Sequence, residues 1–191
     1  MQRKNPYIFY FIDKYNINEL TNLEKNIDLI FRNYNKKLKV DEIKSIHKFC
    51  KIDRRNLYLS NNIKLALRLG LSGVYIPSFN NSLNFASKHS LPDKFEIIGS
   101  AHNLREIRIK KLQKCSKILL SPIFKSKKNQ KFLSTIKFNL TTMSEDVDFV
   151  ALGGMNRNNY KKLRLTKVVG FAGISWIKKN GLRELRPFLK I

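Results

Sequence analysis

The strongest constraint on this chain is a succession of eight short β-rich runs, at residues 7–12, 27–31, 57–59, 73–76, 95–98, 118–120, 149–152 and 168–172. Most are continuously apolar rather than alternating. Strands of a parallel sheet have that character, because the linking helices cover both faces. Helical patterns fall between the runs. Residues 41–50 place Ile43, Ile46, His47 and Cys50 on one stripe. Residues 62–69 turn Ile63, Ala66 and Leu67 inward and stop at Gly70, a common helix terminator. Asn103 stands as the N-cap of a helix over 104–115, with Ile107, Leu112 and Cys115 apolar. Asn156 or Asn158 caps a helix running towards Leu165. A last helical stretch, 176–189, contains Gly181 and Pro187 and reads as broken. The segment 13–23 has room only for a short helix or a loop.

Strand–helix alternation without repeats, long linkers or low-complexity tracts predicts an α/β protein with one domain over residues 1–191. Eight units favour closure into a (β/α)8 TIM barrel over an open doubly wound sheet. No Gly-x-Gly-x-x-Gly follows the first strand, which argues against a dinucleotide-binding fold, and no Gly-x-x-x-x-Gly-Lys-Ser/Thr occurs anywhere. The last two runs, Val150-Ala-Leu-Gly-Gly-Met155 and Val169-Gly-Phe-Ala-Gly-Ile-Ser175, end at glycines and pass into helix-like segments. Such a junction delivers backbone N–H groups and a helix N-terminus to a phosphate, and barrels of this kind build that site after strands seven and eight.

Charge is the one unusual feature of composition. Thirty-eight Lys+Arg against 14 Asp+Glu give a net +24, which taken alone favours a polyanionic partner or substrate. The basic residues are spread through every helical segment rather than gathered in a tail, and lysine is mixed heavily with Asn and Ile. A drift of composition towards those residues accounts for the same excess. No interleaving of aromatic and basic residues marks an RNA-binding pattern, which argues against a nucleic-acid partner. Cys50 and Cys115 have no metal-ligand spacing and read as buried thiols of a reducing compartment. The apolar stretch 7–12 is too short for a secretory signal, and no segment reaches membrane-spanning length, so a cytoplasmic location is expected.

Five segments are in register with the strand ends of a known family: Leu65-Ala-Leu-Arg-Leu-Gly-Leu-Ser-Gly-Val-Tyr-Ile-Pro-Ser78, Ile98-Gly-Ser-Ala-His-Asn-Leu-Arg-Glu106, Leu120-Ser-Pro-Ile-Phe-Lys-Ser126, Ala151-Leu-Gly-Gly-Met-Asn156 and Gly170-Phe-Ala-Gly-Ile-Ser175. In order and spacing they resemble the thiamine phosphate synthase/TenI family from its fourth to its eighth strand. The resemblance implies a barrel that takes a phosphorylated small molecule of thiamine biosynthesis. In the synthase, hydroxymethylpyrimidine pyrophosphate loses pyrophosphate and the nitrogen of a thiazole phosphate captures the pyrimidine cation. Such chemistry requires stabilisation of the leaving charge.

Carried over position by position, the resemblance puts phosphate-binding backbone at Gly153, Gly154, Ile174 and Ser175, with close packing as the structural reading of the two glycines. It puts substrate contacts at Arg32, Ser60, Asn61, Asn80, Ser100, Ser121 and Ser126. Mg²⁺ is the cofactor it implies, but the carboxylate positions fall on Asn61 and Asn80, and neutral amides do not supply the missing negative charge. No metal ligand is therefore assigned. Lys127 and Lys128, with Arg32 and Lys125, are the cations that would hold a diphosphate in its place. His102 is the one histidine at a strand end and the candidate acid/base if the chain is a TenI-like thiazole tautomerase; His47 and His89 read as surface or packing residues. A third reading is a degenerate barrel that binds ligands or RNA.

Overall fold

A computed structural model describes residues 6–34, 39–84, 90–126, 130–156 and 158–173. His89, Lys127, Lys128, Ile174, Ser175 and the stretch 176–189 lie outside the described residues. Eight parallel strands close into a barrel in sequence order: β1 Tyr7–Ile12, β2 Ile27–Phe31, β3 Leu57–Ser60, β4 Gly73–Ile76, β5 Glu96–Ala101, β6 Lys117–Leu120, β7 Asp148–Leu152 and β8 Gly170–Gly173. Tyr7 pairs with Gly170 and Tyr10 with Gly173, so the last strand returns to the first. The fold is the expected TIM barrel.

Continuous apolar strands bury both faces. In β1, Ile8, Tyr10 and Ile12 join the outer core under the helices, while Phe9 and Phe11 point into the barrel. The interior packs Phe9, Phe11, Ile30, Tyr58, Tyr75, Ile98, Leu119, Val150 and Ala172. Phe9 meets Tyr58 edge-on at 5.7 Å, and Phe11 meets Tyr75 at 5.5 Å. Large rings on β1, β3 and β4 are thus offset by small residues on β7 and β8, which keeps the barrel filled. At its N-terminal end Glu96 accepts from the Tyr58 hydroxyl at 2.5 Å and from Lys117 Nζ at 2.6 Å.

The connecting helices are α1 Ile17–Thr21, α2 Val40–Asp53, α3 Ile63–Arg68, α4 Leu104–Leu112 and α5 Ser134–Thr142, with a 3-10 helix at Tyr160–Leu165. Asn16, Asn62 and Asn103 cap α1, α3 and α4 through their side-chain oxygens. Three expectations need correction. The helix over 104–115 stops at Leu112, and Leu112 is 61% exposed while Lys110 is fully buried, because the lysine reaches a carbonyl of the loop after β4. Neither Asn156 nor Asn158 caps the helix before Leu165. Asn156 Oδ1 instead closes a turn on the N–H groups of Asn158 and Asn159, and the helix is 3-10 from Tyr160. Finally, β5 runs on through Gly99, Ser100 and Ala101, whose small side chains hid its strand character. Among the described residues no helix is long and apolar enough to cross a membrane.

Candidate functional site

The C-terminal strand ends gather most of the sequence-derived residues at one mouth. Arg32 follows β2 directly, with its guanidinium 4.5 Å above the Phe11 ring. Burial pushes the Tyr75 phenol up to about 12; its hydrogen bond to Ser100 and the neighbouring Arg32 pull the other way. The Tyr75 hydroxyl donates to Ser100 Oγ at 2.8 Å, and Tyr34 Oη lies 2.8 Å from Ser60 Oγ. Arg32, Ser60 and Ser100 are therefore linked through two tyrosines, Tyr34 and Tyr75, that sequence reasoning gave no role.

Asn61 and Asn80 meet at the next corner. Asn61 follows β3 in a left-handed conformation, φ 57°, and its N–H donates to the Tyr75 carbonyl at 2.8 Å. Asn80 Nδ2 donates to Asn61 Oδ1 at 2.6 Å, and Asn80 Oδ1 accepts from the Ser82 N–H at 2.9 Å. Behind them Lys110 Nζ and Gln113 Nε2 both donate to the Asn80 carbonyl, at 2.7 and 2.9 Å. Burial holds the Lys110 ammonium well below the usual lysine range, at about 8. Among the described residues no group of three or more His, Cys, Asp or Glu is placed to hold a metal ion.

His102 and Ser121 come together just past the ends of β5 and β6. His102 Nδ1 lies 2.9 Å from the Ser121 carbonyl and 3.1 Å from its Oγ. A carbonyl only accepts, so in the neutral ring Nδ1 carries the proton and Nε2 keeps a lone pair. Glu106 Oε2 fixes the backbone here by accepting from the His102 N–H at 2.8 Å. Ser126 is half-buried farther along the loop after β6.

Gly153 and Gly154 follow β7 with φ +90° and +71°. A Cβ at Gly154 would overlap the Phe124 carbonyl, and one at Gly153 would stand 3.0 Å from Pro122 Cβ. The turn is locked to the loop after β6, with the Phe124 N–H donating to the Gly153 carbonyl at 3.2 Å and Asn159 Nδ2 to the Gly154 carbonyl at 2.7 Å. Close approach is thus one reason for these glycines. After β7 the expected passage straight into a helix is not formed, since the 3-10 helix starts only at Tyr160; the corresponding junction after β8 lies outside the described residues.

Phe79 was also missed. It stands exposed after β4 and packs edge-on against Tyr34 at 5.4 Å, giving the mouth an aromatic wall. Its only sequence signal is its place between Ser78 and Asn80.

The family model described as thiamine monophosphate synthase matches residues 23–177. A thiamine-phosphate synthase of Prochlorococcus marinus is 30% identical over 131 residues, covering 65% of this chain and 36% of that protein. A second strain's thiamine-phosphate synthase is 27% identical over 150 residues, covering 75% and 42%. The chain thus spans less than half the length of these curated relatives. Among solved structures, thiamine phosphate pyrophosphorylase from Pyrococcus furiosus superposes with a TM-score of 0.77 at 16% identity, covering 97% of this chain and 96% of that one. KGPDC from Streptococcus mutans superposes at 0.69 and 11% identity, covering 97% and 98%. At such identities these two likenesses speak for the barrel alone.

Proposed function

The chain belongs to the thiamine monophosphate synthase family, and from that premise we propose that its barrel mouth joins hydroxymethylpyrimidine pyrophosphate to a thiazole phosphate. The observation that carries the reading is the cluster of Arg32, Tyr34, Ser60, Tyr75 and Ser100 at the C-terminal strand ends, with the Gly153–Gly154 turn at the same end of the barrel. The C–O bond to pyrophosphate breaks with its electron pair leaving on the phosphate oxygen. The thiazole nitrogen lone pair then forms the new C–N bond to the pyrimidine methylene carbon. No proton transfer is needed, so positioning and charge stabilisation carry the catalysis.

In this reading backbone N–H groups of the Gly153–Gly154 turn hold the thiazole phosphate, and the Tyr34–Phe79 wall stacks the pyrimidine. Arg32 faces the departing diphosphate. The net charge of +24 concentrates anionic substrates at the mouth. Calorimetric titration tests the phosphate site. The phosphorylated thiazole should bind and the free thiazole alcohol should bind at least tenfold more weakly, a difference of about 1.4 kcal/mol. Equal binding of both, or of neither, would remove the reading.

A thiazole tautomerase is the second reading, supported by the tethering of His102 Nδ1 to Ser121, which leaves Nε2 as a base. His102→Gln separates the two, because it should abolish tautomerisation and leave coupling nearly unchanged.

A further inference from the structure

The corner formed by the ends of β3 and β4 turns hydrogen-bond donors towards oxygens that a divalent cation would need. Asn61 Oδ1 accepts from Asn80 Nδ2, and Asn80 Oδ1 accepts from the Ser82 N–H. The Asn80 carbonyl accepts from the Lys110 ammonium and the Gln113 amide, and Gln113 Nε2 also donates to the Ser82 carbonyl at 3.0 Å. Mg²⁺ asks for near-octahedral oxygen ligands and usually at least one carboxylate. These three oxygens are all committed to N–H donors, and a cation sits on one of them.

Lys110 is built into this arrangement rather than merely near it. Its side chain is fully buried and crosses Gly99 of β5, where even a Cβ would come within 2.8 Å of Lys110 Cδ. Gln113 Oε1 accepts its second hydrogen bond at 2.9 Å. The charged and titratable groups acting on it are Cys115 and Glu106. Glu106 is engaged by the His102 N–H and by Asn103 Nδ2 at the start of α4, so the ammonium has no carboxylate bonded to it among the described residues. The ammonium thus stands behind the Asn80 turn, bonded to two neutral oxygens. Arg32 is a further donor on the β2 side, beside the hydrogen-bonded Tyr34–Ser60 pair.

We propose that this corner is a metal-free diphosphate subsite, in which Arg32 and the amides of Asn61 and Asn80 take a diphosphate as its free anion while Lys110 and Gln113 position the Asn80 turn. The inference rests on the reading of the mouth as the place where a diphosphate leaves. Arg32 supplies a bidentate fork and the amides supply neutral donors, a combination that suits phosphate oxygens and repels a divalent cation. Lys110 is a positioning residue; it acts through the turn it holds.

Thermal unfolding of the full chain tests this, with inorganic pyrophosphate and thiazole phosphate as separate probes, in EDTA and in Mg²⁺. Pyrophosphate should raise the melting temperature in EDTA, and excess Mg²⁺ should leave that rise unchanged or reduce it by complexing the anion. Arg32→Gln should weaken pyrophosphate about tenfold and spare thiazole phosphate. Lys110→Met should do the same, whereas a purely structural lysine would weaken both probes or neither. The double variant Asn61→Asp with Asn80→Asp should make pyrophosphate protection depend on Mg²⁺. Pyrophosphate protection that appears only with Mg²⁺ in the unmodified protein, or in neither condition, overturns the inference. If thiazole phosphate still protects in that case, the proposed function survives; if neither probe protects, both fail.

Discussion

Gly154 carries a cost that sequence alone does not price. Its φ of +71° is in the left-handed region, and a side chain there would overlap the Phe124 carbonyl. Gly70 shares the conformation, φ +61°, but has open space where its Cβ would stand. Gly70→Ala should therefore cost only the backbone penalty, about 1 kcal/mol, and Gly154→Ala about 3 kcal/mol once the clash is added. Urea titration of the two variants measures the difference directly; equal costs would mean the β6–β7 loop contact yields freely. His47 gives the pH counterpart. Burial, then the nearby Lys51, holds its pKa below the usual 6.5. The unfolded chain thus binds more protons at mildly acidic pH, so this contribution is complete above pH 6.5 and is lost as pH falls through the folded value. His47→Gln should flatten the loss of melting temperature between about pH 6.5 and 5. An unchanged slope would show that the ring stays solvated.

Among the helices, α4 has the most to do with the site. Its capping box pairs Asn103 Oδ1 with the Glu106 N–H at 2.9 Å, while Glu106 returns to the His102 N–H. Asn103→Ala should cost about 1 kcal/mol by urea titration and loosen the backbone that presents His102. The same helix shows why its face was misread from sequence. Leu112 has the apolar side chain but stands exposed, and Lys110 is buried because its ammonium finds the Asn80 carbonyl and Gln113. In α5, Ile136 and Leu140 are 72% and 65% exposed while Phe138 and Thr142 are buried, so no clean 3.6-residue stripe announces that helix. Strands were more legible. Tyr7–Ile12, Ile27–Phe31 and Gly73–Ile76 end where continuous apolar character ends, because two-sided burial leaves the same mark whatever the partner.

For the molecule as a whole, closure of β8 onto β1 decides which of these residues share a mouth. The family resemblance points to Arg32, Ser60, Asn61, Asn80, Ser100, His102 and Ser121, and the fold places them at or just past strand ends. Their partners were not legible, since Tyr75–Ser100 and Tyr34–Ser60 arise from the stagger between neighbouring strands and loops rather than from spacing along the chain. Lys110 was invisible for the same reason, being a lysine on an ordinary helical face until the loop after β4 folds over it. The measurement that weighs most on this account is formation of thiamine phosphate from hydroxymethylpyrimidine pyrophosphate and thiazole phosphate, followed as thiochrome fluorescence, in Mg²⁺ and in EDTA. The account predicts product in both conditions. A folded protein that binds thiazole phosphate yet forms product only with Mg²⁺, or in neither condition, would contradict it.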